Sequence, residues 1–154
     1  MPAVNLVVFS LGHQRFGLPL PAVHRCLRVV AITPLPEAPP MVLGVVDLAG
    51  TVVPVIDTRK RFALPSRALT LSDHLVIATT GRRTVALLVD ETHGVLEASA
   101  DSHAAADEIL PGLDLFDGAI TREDGLILIH DLARLLSLDD EAAIDRALAP
   151  AVNP

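Results

Sequence analysis

Tryptophan and tyrosine are absent from the 154 residues, and phenylalanine occurs only four times. The aromatic platforms on which single-stranded nucleic acids stack are therefore missing. Cations are scarce too: 12 Lys and Arg against 19 Asp and Glu leave a net charge of −7, the wrong sign for a phosphate-binding surface. The single cysteine, Cys26, excludes an internal disulfide and any multi-cysteine zinc site, and it reads as a structural thiol. No uncharged stretch approaches the roughly 18 apolar residues of a spanning helix, although the mean hydropathy is +0.48. Met1 to Ser10 lacks the basic flank and small-residue cleavage site of a secretory signal, so a cytoplasmic address is the default expectation. Phosphate loops and the Gly-x-Ser-x-Gly elbow are absent from the sequence. The six histidines, at 13, 24, 74, 93, 103 and 130, form no i, i+4 helical pair of the kind that binds zinc. Neither a cofactor nor a metal is expected.

What the chain does have is apolar residues: 51% are hydrophobic and 20% charged, enough to close a core at this length. Short β-branched runs dominate. Asn5 to Ser10 and Arg15 to Leu20 read as a hairpin about Gly12-His13-Gln14. Ala22 to Val30 fits either a helical turn or a strand. Four prolines between Thr33 and Pro40 keep any long regular element out of that segment, and a short helix is expected from Pro39 through Leu43 to Gly44. A second hairpin joins Val45-Val46-Asp47-Leu48 to Thr51 through Ile56 across Ala49-Gly50. Pro54 places its strand at an edge or a bulge.

Asp57 to Leu64 is a connector holding Arg59-Lys60-Arg61, the only three adjacent cations. They read as solvated, with an acidic partner as the alternative. Pro65 to Ser72 is a loop. Leu75 to Thr79 and Thr84 to Val89 make the clearest hairpin, and a strand over His93 to Glu97 follows. Ala98 to Glu108 reads as a mobile loop. Another hairpin pairs Asp117 to Arg122 with Leu126 to His130 around Glu123-Asp124-Gly125. Leucine spacing in Asp131 to Leu136 and apolar spacing in Asp140 to Leu148 predict a helical end. Eight or nine short strands and little helix predict an all-β barrel or sandwich. The likeness of Val45 to Ile56 to Leu75 to Val89, each a hairpin of apolar strands, points to two small barrels.

Candidate chemistry is thin. Asp47 and Asp57 would make a small all-β hydrolase only if held close enough to share a proton, yet neither sits in an Asp-Thr/Ser-Gly turn. His103 and Asp107 are four apart, but in a segment that reads as loop rather than helix. His130, beside Asp131, fits a hydrogen bond at a barrel end. His24 lies two residues from Cys26, but a nucleophile needs its base near in space, not in sequence. Spare hydrophobic surface without a catalytic group points to protein docking.

One stretch carries a resemblance. The run Ile32-Thr33-Pro34-Leu35-Pro36, Ala38-Pro39-Pro40, Val42 and Gly44 through Asp57 is similar to the signature of the CheW-like chemotaxis coupling proteins. Phe9-x-Leu11-Gly12 and Phe16 through Leu20 with Val23 fit that family's opening hairpin. Val85-x-Leu87-Leu88-Val89-Asp90 and Gly125 through Leu136 fit its second half, so the resemblance covers residues 5 to 137. It implies a single domain over residues 1–154, mainly β. Two intertwined five-stranded SH3-like β-barrels would enclose a shared core, with a short C-terminal helix and tail over residues 138–154.

It implies no catalysis and no cofactor. The role would be that of a cytoplasmic adaptor joining the cytoplasmic tip of a chemoreceptor to the regulatory domain of a CheA-type histidine kinase. Neither nucleic acid nor direct membrane insertion enters. By position, the receptor-facing surface would include Val23, Arg25, Gly44, Asp47, Ala49 and Gly50. Members usually carry an acid where Arg25 stands, an Asn where Asp47 stands and an Arg where Ala49 stands. The alternative implied by those departures is a module that binds the kinase but not ordinary receptors, as a competitor or as the adaptor of another pathway such as pilus motility.

Overall fold

The computed structural model describes residues 3–99, 103–105, 116–123 and 125–152. Among the described residues, eleven strands form two sheets. The chain begins with the hairpin β1 (Ala3–Leu11) and β2 (Gln14–Pro19) and then passes through a 3-10 turn into β3 (Val23–Arg28). Next come β4 (Val42–Leu48), β5 (Thr51–Asp57), the one-turn helix α1 (Thr58–Arg61), β6 (His74–Thr79) and β7 (Thr84–Val89). It continues through β8 (Glu91–Ser99), β9 (His103–Ala105), β10 (Phe116–Arg122) and β11 (Gly125–His130), and ends in α2 (Leu138–Val152). One sheet has the order β8-β1-β2-β11-β10-β9 and the other β3-β6-β7-β5-β4. The first sheet is thus started by the N-terminal hairpin, interrupted by the whole of the second, and completed afterwards. That is the intertwining the resemblance implies, with β9 as a sixth, three-residue strand.

Chain length shows that both sheets are rolled. β8 and β9 lie on opposite edges of their sheet, which in a flat sheet would be about 24 Å apart at five strand spacings. Only three residues separate Ser99 from His103, a link of at most about 14 Å. In the second sheet, Val29 N–H still bonds Asp73 C=O beside β6, while Thr33, four residues later, pairs with Val45 on the far edge strand β4. The two edges of that sheet also approach each other.

Period-2 alternation divides the core into three. Leu6, Val8, Ile120, Ile127 and Ile129 fill the first sheet. Val46, Val53, Val55, Leu75, Ile77 and Ala86 fill the second. The residues in between, among them Phe9, Phe16, Ile56, Val76, Leu87, Leu135 and Ile144, form the core the sheets share. β6 and β7 therefore bury both faces, which is why their sequences are almost uninterrupted apolar runs. α2 starts with a reciprocal cap: the Asp140 N–H donates to Ser137 Oγ and the Ser137 N–H to Asp140 Oδ2, each at 3.0 Å. Its buried Glu141, Ile144 and Ala147 fall on one helical stripe.

Several expectations are corrected. The segment Ala22 to Val30, open between helical turn and strand in the sequence, holds the strand β3 over Val23–Arg28. The expected helix from Pro39 to Gly44 is instead a turn at Pro40 and Met41, closed by the Val42 N–H on Pro39 O at 2.9 Å, followed by the start of β4. Val42 pairs with Ile56 and Gly44 with Val55 across a bulge, and at Gly44 (φ 154°) a Cβ would stand 2.2 Å from Thr33 O. Pro54 is neither on an edge strand nor at the bulge. β5 is interior, but its ladder to β7 begins only at Val55, so the missing N–H costs no bond there. The hairpins Val45 to Ile56 and Leu75 to Val89, read as a sign of two barrels, both belong to the second sheet. Within the presumed loop, Ala98 and Ser99 extend β8 and His103–Ala105 form β9. The rest of Ala98 to Glu108, and the turn residue Asp124, lie outside the described residues.

Candidate docking surface

The carboxylate pair is not assembled. Asp47 Oδ1 accepts the Gly50 N–H at 2.8 Å inside the β4–β5 turn, and Asp57 Oδ1 accepts the Lys60 N–H at 3.2 Å as the cap of α1. Asp47 pairs with Val52, and Asp57 lies five residues further along that strand, about 17 Å at the rise of an extended chain. Each acid serves its own turn, and no proton can be shared.

The other polar candidates are equally local. His93 Nε2 and Ser10 Oγ are 3.0 Å apart across β8 and β1. His130 is buried against Phe62 and Phe116, with ring centroids at 4.8 and 5.9 Å. Among the described residues no cluster of His, Cys, Asp or Glu has metal-binding geometry. Cys26 is exposed on β3 rather than structural. Partial cover of its sulfur pushes the thiol pKa up, which keeps it protonated and poorly nucleophilic.

The cation run overturns its reading as a solvated connector. Arg61 Nε donates to Leu135 O at 2.6 Å and its Nη2 to Arg134 O at 3.0 Å, tying α1 to the C-terminal segment. Arg59 Nη2 meets Asp90 Oδ2 at 2.5 Å. The acidic partner is thus inside the chain, and of the three only Lys60 is exposed. Asp90 also holds Arg67 Nη2 at 2.5 Å and the Gly12 N–H at 2.6 Å, while Arg67 reaches Asp73 Oδ1 at 2.6 Å. Partial burial alone would raise the Asp90 pKa. Hydrogen bonds from Arg59, the Gly12 N–H and Arg67 outweigh it and lower the pKa from 3.8 to about 2. Sequence reasoning missed this cluster. Its one legible signal is an acid ending the apolar run of β7.

The residues expected to face a receptor fall on the two edge strands of the second sheet. Val23 and Arg25 are on β3, Gly44 and Asp47 on β4, and Ala49 and Gly50 in the β4–β5 turn. Because that sheet rolls, the edges flank one seam, where Leu27 and Val29 share a hydrophobic cluster with Val46 and Leu48. Arg25, Asp47, Ala49 and Gly50 are exposed, whereas Gly44 is buried against the Thr33 backbone and supports the surface rather than joining it. Exposed apolar side chains occur on both sides of the seam, Val30 at 42% and Val52 at 37% exposure. This surface can bind by shape and apolar contact. No described helix is long and apolar enough to cross a membrane.

Residues 5–140 match the sequence profile of the CheW-like domain. The chain is 26% identical over 143 residues to the chemotaxis protein CheW of Klebsiella aerogenes, covering 92% of this chain and 86% of that protein. It is 34% identical over 95 residues to the chemotaxis protein CheW of Rhizobium meliloti, covering 62% and 61% respectively. Its fold superimposes on the crystal structure of the scaffolding protein TtCheW from Thermoanaerobacter tengcongensis. The TM-score is 0.82 at 28% identity, over 90% of this chain and 96% of that one.

Proposed function

The chain belongs to the family of CheW-like domains, and from that premise we propose that it is a non-enzymatic adaptor coupling chemoreceptors to a CheA-type histidine kinase in a chemosensory array. The observation that carries this reading is the match of residues 5–140 to the family. The separation of Asp47 from Asp57 removes the hydrolase alternative's only dyad. Bond-making is not the activity; holding two partners at a fixed spacing is, and two rolled sheets around a shared core suit it. Both partners are reached from the cytoplasmic side of a receptor array.

In finer detail, the kinase's regulatory domain is the partner for a barrel end, and the receptor tip is the partner for the seam flanked by Val23, Arg25, Asp47, Ala49 and Gly50. A receptor helix laid against an apolar groove is a common recognition mode. The experiment is capture of each partner by the purified chain, separately and then together. Retention of both, with the receptor tip bridged to the kinase domain only when the chain is present, is the expected result. Capture of neither defeats the reading.

Arg25 and Ala49 favour a second reading, in which the kinase domain is held and ordinary receptor tips are not. The side chains on this surface then offer a cation and a methyl group, and a receptor suited to an acid and an arginine meets a charge reversal. We expect the double change Arg25→Glu and Ala49→Arg to raise affinity for ordinary receptor tips by about tenfold, the effect of roughly 1.4 kcal/mol from two rim charges. Unchanged affinity in a calorimetric titration would remove charge as the determinant of partner choice.

A further inference from the structure

A groove of about 320 Å³ runs between the proline-rich segment and α2, lined by none of the receptor-facing residues named above. One wall is Pro34, Leu35 and Pro36, and Val45 and Ala147 also line the groove. Glu37 stands on the proline side and Arg146 on the helix side, both exposed. Neither has an ion-pair partner among the described residues.

We propose that this groove docks an amphipathic α-helix from a partner protein, one carrying an apolar stripe with a basic residue on one flank and an acidic residue on the other. The helical form follows from backbone accounting. Val45 exchanges both of its hydrogen bonds with Thr33, N–H to O and O to N–H, each at 2.8 Å. Pro34 and Pro36 have no N–H to give. An extended strand entering the groove would find no ladder on these residues, and its own buried amides would stay unpaired. A helix brings its hydrogen bonds with it and needs only side-chain contact. The proline wall is already rigid, so little ordering entropy opposes docking.

The flanking charges follow from Glu37. It occupies the third position of a turn in which Ala38 N–H bonds Leu35 O at 3.4 Å, and its φ of 66° lies in a region suited to glycine or asparagine. A glutamate held there at a conformational cost, with its carboxylate unpaired at the rim of an apolar slot, marks a place where a cation arrives. Arg146 across the groove calls for an anion in the same way. The proposal rests on reading the chain as a docking protein, and not on which surface meets the receptor.

The test uses three synthetic helical peptides with the same leucine stripe, and a proline-interrupted control, titrated into the full chain by calorimetry. One has Lys on one flank and Glu on the other, one has Lys on both, and one has Glu on both; reversing a helix cannot interconvert them. The mixed peptide should bind the unaltered chain about fivefold more tightly than either of the others, the fold-change expected when one rim pair turns repulsive. E37K should move the preference to the all-Glu peptide and R146E to the all-Lys peptide. Both changes are on exposed side chains, and circular dichroism confirms the fold. The proposal is overturned by the same order of affinities on all three proteins, by equal binding of a proline-interrupted peptide, or by no binding at millimolar concentration. Those failures leave capture of the kinase domain and receptor tip untouched, whereas failure of the adaptor reading appears only in that capture.

Discussion

Single residues set the shape of the β4–β5 hairpin, and two of them lead to opposite expectations. Leu48 pairs with Thr51, which leaves a two-residue loop in which Ala49 has φ 53° and Gly50 φ 90°. Positive φ at both positions is the hairpin turn that suits the strand twist. Alanine carries a steric cost in it that glycine does not. Ala49→Gly should therefore raise stability by about 0.5–1 kcal/mol in urea unfolding, and a loss would mean that the methyl group packs favourably. Gly44→Ala should lower stability by roughly 3 kcal/mol, because its Cβ would enter the Thr33 carbonyl in a backbone conformation alanine avoids. The turn at Ala49-Gly50 was legible because its signal is local. The role of Gly44 was not: taken alone it looks like a helix exit, and only the pairing of Thr33 with Val45, twelve residues apart, reveals the close approach.

Elements were most legible where their patterning is complete. β6 and β7 read as strands because both faces are buried and the apolar run is unbroken, and α2 shows its periodicity with acids in the first turn. β3 stayed ambiguous because most of its residues are exposed, so no face imposes a period. What no pattern foretold is how α2 is fastened. Arg83, at the entry to β7, meets Glu141 Oε2 at 2.7 Å through its Nε and Asp145 through its Nη2. The Arg83 and Glu141 side chains are only 15% and 12% exposed, so the pair is largely shielded from solvent. Removing one partner leaves the other buried and uncompensated, which costs far more than the pair contributes. Arg83→Met should destabilise by about 3 kcal/mol in denaturant unfolding, and adding Glu141→Leu should restore most of the loss. A double variant no more stable than the single one would show that burial of Glu141 is not the cause.

At the scale of the molecule, the question is what keeps two rolled sheets at one spacing, since an adaptor transmits geometry. The shared core supplies the contact area, and Asp90 supplies the fastening where the chain crosses from β7 to β8. Its carboxylate joins Gly12 in the β1–β2 turn of the first sheet to Arg59, which follows β5 of the second, and to Arg67 in the loop before β6. The candidate receptor residues were reached through resemblance, but this junction was not, because four segments distant in sequence meet there.

The Asp90 pKa falls from 3.8 to about 2 on folding, so the carboxylate is favoured in the folded state. Its contribution is complete above pH 3.8 and disappears as pH falls through about 2, with a size of about 2 kcal/mol. Asp90→Asn removes that contribution at neutral pH and leaves Arg59 and Arg67 facing an amide. We expect the variant to be less stable by about 2 kcal/mol at pH 7 and to show a shallower loss of stability between pH 4 and pH 2. Denaturant unfolding at each pH measures both. An acid limb as steep as that of the unaltered chain would place the titrating group elsewhere.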